Sequence, residues 1–266
     1  MHAWIFPGQG AQFVGMASDL AERFDVARDT LAEADEALGF ALSALMAEGP
    51  METLTLTANT QPAILTHSMA VVRVLRAHGV VEPLAVAGHS LGEYSALVAS
   101  GAMTFADALR SVRARGQFMQ EAVPAGVGGM AAVIGLGSEA VEAVCAEHSV
   151  DGALVRAANF NDPTQTVIAG HKAAVEAAMP LLKEAGARRV LPLPVSAPFH
   201  CPLMAPVQPR LDEVLAGVAI ADPGVPVVTN VEAKPNQDGG RVQGLLVEQV
   251  CAPVRWVACV EGLRQL

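Results

Sequence analysis

The sequence predicts an α/β protein with a mostly parallel central sheet, into which a smaller mixed unit is inserted. Three observations point there. Short apolar runs alternate with longer helical patterns along the chain, the order that lays helices on a sheet. Ala, Val, Leu and Gly abound while aromatic residues make up 4% of the 266 residues, which suits close helix–sheet packing. In mid-chain the order changes to strand, helix, strand, strand, helix, strand, and proline- or glycine-bearing stretches flank that block.

Ala3–Phe6 reads as the first strand, stopped by Pro7-Gly8-Gln9-Gly10. Helical segments follow around 15–21 and over 26–38, the latter ended by Gly39. A long helix is expected over 59–75, with Pro62 tolerated in its first turn. A buried strand at 84–87, a helix over 91–100 rich in small residues and a helix over 105–122 complete the first half. From Gly129 to Val195 the reading is strand 129–134, helix 138–148, strands 153–158 and 165–169, helix 173–185 and strand 188–195, the ferredoxin-like pattern. A helix over 202–216, a strand over 226–230 and helices near 244–250 and over 256–266 close the chain. The expected division is a large domain of residues 1–125 and 195–266 around a small one of 126–194.

Composition narrows the function. Apolar residues reach 52% and charged ones 17%, enough for a large core and too apolar for long disorder. A formal net charge of −10 argues against nucleic acid, which demands a basic footprint. The four cysteines, Cys145, Cys201, Cys251 and Cys259, form no Cys-x-x-Cys pair and show no metal-ligand spacing with histidine. The start, Met1-His2-Ala3-Trp4, lacks the basic and apolar regions of a signal peptide, and charged or polar residues interrupt every candidate membrane span. The expectation is a soluble, cytoplasmic monomer with reduced thiols, no bound cofactor, and no nucleic-acid or membrane partner.

The chemistry centres on Gly88-His89-Ser90-Leu91-Gly92. Between a strand and a helix, Gly-x-Ser-x-Gly holds a serine on a tight, strained elbow, lifted off the sheet near a helix N-terminus where N–H groups meet developing negative charge. A serine hydroxyl needs a base. His2 and His78 read as terminal or loop-placed, His67, His148 and His171 as helix-associated, and His89 as structural in the turn. His200 differs: it follows a strand end and the constrained approach Ser196-Ala197-Pro198-Phe199, at the lip of the sheet and downstream of the serine. It is a candidate base, or else an ordinary loop histidine. Asp107, Asp151, Asp162 and Glu184 are acids between the two, none on an obvious strand-end loop, and a backbone carbonyl orients an imidazole equally well.

Arg115 falls on an apolar helical stripe with Ala108, Val112 and Met119, whereas Arg110 and Arg113 fall on the side expected to face solvent. An inward guanidinium seeks a carboxylate, either a buried Asp or Glu or an acidic substrate. Phe6-Pro7-Gly8-Gln9-Gly10 lacks the spacing and partners of a nucleotide loop. It is placed instead to offer Gln9 or an N–H to an oxyanion.

Taken together, Phe6 to Gln12, Thr60-Gln61-Pro62-Ala63, Gly88 to Tyr94, Arg115-Gly116, Asn159-Phe160-Asn161, Phe199-His200 and Pro253-Val254-Arg255-Trp256 resemble, in order and from end to end, the malonyl-CoA:acyl-carrier-protein transacylases. The resemblance implies an α/β-hydrolase-like large domain with a ferredoxin-like small one. It also implies ping-pong transfer of malonyl from malonyl-CoA, through Ser90, to the phosphopantetheine thiol of an acyl carrier protein. His200 would be the base, the N–H groups of Gln9 and Leu91 the oxyanion hole, and Arg115 the partner of the malonyl carboxylate. The main-chain carbonyl of Gln249 would orient the histidine, Asn161 would line the cleft, and Phe199 matches malonyl-selective members.

Such enzymes serve fatty acid synthesis, polyketide assembly and malonate decarboxylation, and they continue past residue 266 into a further strand and a Gly-Pro-Gly-type turn. An acidic carrier is expected to dock on Lys172, Lys183, Arg188 and Arg189. A serine hydrolase such as a thioesterase, which has no use for Arg115, and a non-catalytic carrier-docking module are the competing readings.

Overall fold

The computed structural model describes residues 2–124, 126–195 and 197–266; Ala125 and Ser196, at the two expected domain boundaries, lie outside the described residues. In chain order the first half contains β1 (Trp4–Phe6), α1 (Ser18–Arg23), α2 (Asp25–Leu38), α3 (Leu42–Glu48), α4 (Met51–Thr55), α5 (Thr57–Ala77), β2 (Val86–Gly88), α6 (Gly92–Ala99) and α7 (Phe105–Glu121). The middle holds β3 (Gly128–Ile134), α8 (Ser138–His148), β4 (Val155–Asp162), β5 (Gln165–His171), α9 (Lys172–Glu184) and β6 (Arg189–Pro192). After a 3₁₀ turn at Pro202–Met204 come α10 (Val207–Ala216), β7 (Val227–Val228), β8 (Pro235–Asn236), α11 (Gly239–Gln249) and α12 (Trp256–Arg264).

Two sheets result. The first runs β1-β2-β7-β8, parallel across β1, β2 and β7 and antiparallel at β8. Its strands are short, and helices enclose it in one large core containing Ile64, Leu65, Met69, Leu91, Leu97, Leu109 and Leu211. The second is antiparallel throughout, in the order β4-β5-β3-β6. Strand alternation gives it two apolar faces. Ala131 and Val133 pack under α8 and α9 with Val141, Val175 and Leu182, while Met130, Ala132, Val167 and Ala169 turn the other way, toward Cys201, Phe199 and Leu203. That second face roofs the end of the first sheet where the serine lies. Val254 ties the two together, its N–H donating to Ala158 O and its carbonyl accepting from the Phe160 N–H, both at 2.9 Å.

Helix α5 is the central, mostly buried helix, and it positions the site. It starts at Thr57, so Pro62 lies inside it rather than in its first turn. Proline has no N–H to give, which leaves the carbonyl four residues back unserved. Arg113 of α7 fills the gap, its Nη1 donating to Ala58 O at 2.7 Å while the guanidinium lies over the Phe40 ring. Arg113 is therefore a tie between α5 and α7, not the solvated charge its helical position suggested. Gly116 allows the close contact: a Cβ there would sit 2.7 Å from Thr57 O.

Other boundaries move for local reasons. Helix α11 begins at Gly239, five residues ahead of the expected start, because the Asp238 side chain caps it by accepting from the Gly240 N–H. Strand β7 keeps only two residues, since Thr229 enters a turn with Ala233 and Lys234 and Asn230 reaches to the serine elbow. Helices α3 and α4 add to the expected elements, filling the stretch between Gly39 and α5 for which the sequence pattern names none.

Candidate active site

Ser90 sits between β2 and α6 with φ 53°, a left-handed conformation that a side chain adopts only under constraint. The bend is tight enough to exclude any Cβ at the flanking glycines. At Gly88 it would lie 1.8 Å from Gly92 O, and at Gly92 2.5 Å from Phe6 O. Asn230 closes the turn: its Oδ1 accepts from the Ser90 N–H and its Nδ2 donates to Gly88 O, both at 2.7 Å. In the sequence Asn230 carries no signal beyond a polar side chain at the end of an apolar strand.

The Ser90 hydroxyl lies 2.7 Å from Nε2 of His200, a second residue at positive φ (58°). Nδ1 of the imidazole donates to the main-chain oxygen of Gln249 at 2.9 Å. With its proton committed there, Nε2 is left as an acceptor for the hydroxyl. Burial first, and the nearby Arg115 charge second, push the His200 pKa down to about 3, so the ring is neutral at ordinary pH. A carbonyl takes the place of an acid. Asp107 instead serves Thr104 and Arg110, and Asp162 serves the turn at Thr164.

Arg115 is buried (1% exposed). Its Nη2 donates to Ser90 Oγ at 3.1 Å and to Gln249 Oε1 at 2.9 Å, and its Nη1 to Gln61 Oε1 at 2.8 Å. Among the described residues no carboxylate pairs with it directly, and its Nε has no partner. The Gln249 amide carries the network on, Nε2 donating to Glu93 Oε2 at 2.8 Å and to Ser90 O at 3.1 Å. Burial raises the Glu93 carboxyl to about 7. The sequence pattern did not point to the side-chain roles of Gln249, Glu93 and Gln61, although an acid inside the small, apolar α6 was a usable signal.

The Ser90 side chain opens into a cavity of about 270 Å³ lined by Gln9, Leu91, Arg115, Asn161, Phe199 and His200 among others. Among the described residues, the N–H groups of Gln9 and Leu91 have no protein acceptor. Asn161 is held by His89, whose Nε2 donates to its Oδ1 at 2.8 Å, and the His89 ring stands edge-on to Trp256. Seven of the eight residues singled out in the sequence thus line this cavity, and the eighth, Gln249, sits behind it against His200 and Arg115. Of the basic residues expected to meet an acidic carrier, Lys172 packs beside Gly129 at one end of β3, while Arg188 abuts Gly135 and Arg189 pairs with Ile134 at the other, ~20 Å away along the strand.

A hydroxyl bonded to a neutral imidazole, beside free N–H donors and a buried cation, is equipped for acyl transfer through oxygen. The model of the acyl transferase domain family matches residues 3–261. The chain belongs to the acyl transferase family. It is 51% identical to the malonyl CoA-acyl carrier protein transacylase of Escherichia coli O157:H7 over 259 residues, 97% of this chain and 84% of that one. With the Bacillus subtilis transacylase of the same name it shares 48% over 261 residues, 98% of this chain and 82% of that one. Among solved structures, an acyl carrier protein S-malonyltransferase from Vibrio cholerae superposes with a TM-score of 0.96 at 49% identity, covering 99% of this chain and 86% of that one. A malonyl-transacylase solved in complex with its type II PKS acyl-carrier protein gives 0.96 at 48%, covering 99% and 85%. Like these acyl transferases, the chain combines a parallel sheet flanked by helices with a second mixed unit.

Proposed function

We infer that this acyl transferase moves malonyl from malonyl-CoA to the phosphopantetheine thiol of an acyl carrier protein by a ping-pong route. The observation that carries the reading is that a single hydroxyl, Ser90 Oγ, is hydrogen-bonded both to His200 Nε2 and to the buried Arg115, which has no carboxylate in contact among the described residues. Relatives near 50% identity that are named for this transfer add to it.

In the first half-reaction Nε2 takes the hydroxyl proton as Oγ attacks the thioester carbonyl. The N–H groups of Gln9 and Leu91 receive the oxyanion, the C–S bond breaks, and the CoA sulfur takes the proton from Nε2. In the second half, Nε2 accepts the proton of the pantetheine thiol as its sulfur attacks the malonyl ester, and Ser90 regains its proton on leaving. Arg115 pairs with the distal carboxylate, Asn161 lines the cleft, and Phe199 narrows it against branched acyl groups. We read the segment around the second sheet, residues 126–194, as a ferredoxin-like small domain, and the remainder, 1–125 and 195–266, as an α/β-hydrolase-like domain. The strand order β4-β5-β3-β6 and the placing of the serine after β2 support those assignments.

Intact-mass analysis after mixing with malonyl-CoA tests the reading. A malonyl adduct mapping to Ser90 that disappears on adding carrier protein supports it. Rapid release of free malonate would assign a thioesterase, and no adduct would leave a docking module.

A further inference from the structure

Burying a guanidinium is costly without a compensating negative charge. The acid in reach of the Arg115 network is Glu93, three residues past the serine and 2% exposed. The two do not touch. One amide joins them: Gln249 Oε1 accepts from Arg115 Nη2 at 2.9 Å, and Gln249 Nε2 donates to Glu93 Oε2 at 2.8 Å. The same Oε2 also accepts from the Asn230 N–H at 2.9 Å, so the carboxyl is fixed from two sides.

The titratable groups facing Glu93 are Arg115 from α7, Tyr94 on its own helix and Cys259 from α12. His200 reaches the same amide residue through the Gln249 main chain. Burial raises both Tyr94 and Cys259, so both are neutral, and His200 is neutral as well. Glu93 is thus the anion available to balance Arg115 while the cavity is empty.

We propose that Glu93 is a specificity-determining residue that shares Arg115 with the substrate: it is ionised while the guanidinium is unoccupied, and it takes up one proton from the medium when a substrate carboxylate pairs with Arg115. The inference rests on the malonyl-transfer reading. Its physical basis is that two carboxylates around one buried cation repel each other, and the more deeply buried one neutralises. The arriving carboxylate, with an ordinary low pKa, keeps its charge. Glu93, whose carboxyl burial already raises to about 7, gives its charge up.

The experiment is binding calorimetry at pH 7.5 on the Ser90→Ala protein, which cannot be acylated, with malonyl-CoA and acetyl-CoA in buffers of different ionisation enthalpy. Malonyl-CoA should take up a substantial fraction of a proton more than acetyl-CoA does. Adding Glu93→Gln should abolish that difference while malonyl-CoA still binds tighter, because a single amide oxygen can accept both donors that Oε2 now serves. A second measurement needs no change at position 93. In the unsubstituted protein the kcat/KM ratio of malonyl-CoA to acetyl-CoA should fall between pH 6.5 and 8.5, approaching tenfold per pH unit. Equal proton uptake from both thioesters with the malonyl preference intact, or a flat ratio across that range, would overturn the role of Glu93 and leave the reading of Arg115 standing. Absence of any malonyl preference would overturn both.

Discussion

The main-chain oxygen of Gln249 lies 2.9 Å from His200 Nδ1, while the side chain of the same residue reaches Arg115 at 2.9 Å. One residue at the end of α11 serves the imidazole with its backbone and the guanidinium with its amide. The two duties are separable, because truncating the side chain leaves the carbonyl in place.

Gln249→Ala should therefore keep the histidine oriented and disturb the Arg115 end of the cavity. We expect acetyl transfer to fall less than tenfold and malonyl transfer to fall further. Stability should drop by about 1–3 kcal/mol, since buried donors and acceptors lose a partner. Kinetics with both thioesters and urea unfolding check the two halves.

Arg115→Ala should cut malonyl transfer roughly a hundredfold or more while acetyl transfer suffers far less, the lost term being charge-assisted hydrogen bonds to a carboxylate. Arg115→Lys should recover little of it, because an ammonium cannot span Gln61, Gln249 and Ser90 together. Parallel loss for both donors would make the residue structural.

The elbow glycines make a sharp contrast with another glycine. Gly88→Ala drives a methyl to within 1.8 Å of a backbone oxygen and should cost more than about 4 kcal/mol or abolish folding. Gly244, inside α11, has open space within 4 Å of the position a methyl would take, so Gly244→Ala should stabilise by about 0.5–1 kcal/mol. Thermal unfolding of the two proteins side by side decides the matter.

The pH dependence of stability should carry the mark of His200. Its pKa is held near 3 in the folded chain against an ordinary 6.5, so the unfolded chain binds the proton first. Stability is lost as pH falls below about 6.5, by roughly 2 kcal/mol at pH 5 from this group. His200→Asn should remove that share of the acid sensitivity in urea titrations at pH 7 and 5. Glu93 acts in the opposite window, its share being lost as pH rises from 4.5 through about 7.

Residues whose chemistry is local were legible in the sequence. Ser90 declared itself through two glycines at fixed spacing, and Arg115 through a charge on an apolar stripe. His200 stood out by elimination and Gln9 by its loop after the first strand, while family resemblance supplied Leu91, Asn161, Phe199 and the Gln249 carbonyl. Asn230 and the Glu93–Gln249 relay were not legible. Their partners lie about 140 to 160 positions away in the chain, on elements whose meeting is decided by packing rather than by any short pattern. Arg113 misled for a related reason: its helical position was read correctly, but the vacant carbonyl created by Pro62 belongs to another helix.

The closure of the bend by Asn230 has a consequence for synthesis. On the ribosome, a growing chain that has not yet delivered residue 230 holds its serine without the side chain that clamps the turn. One that has not reached Gln249 lacks the carbonyl that aims the imidazole. The serine hydroxyl therefore acquires its clamped turn and its oriented imidazole partner late, well after the serine itself has emerged.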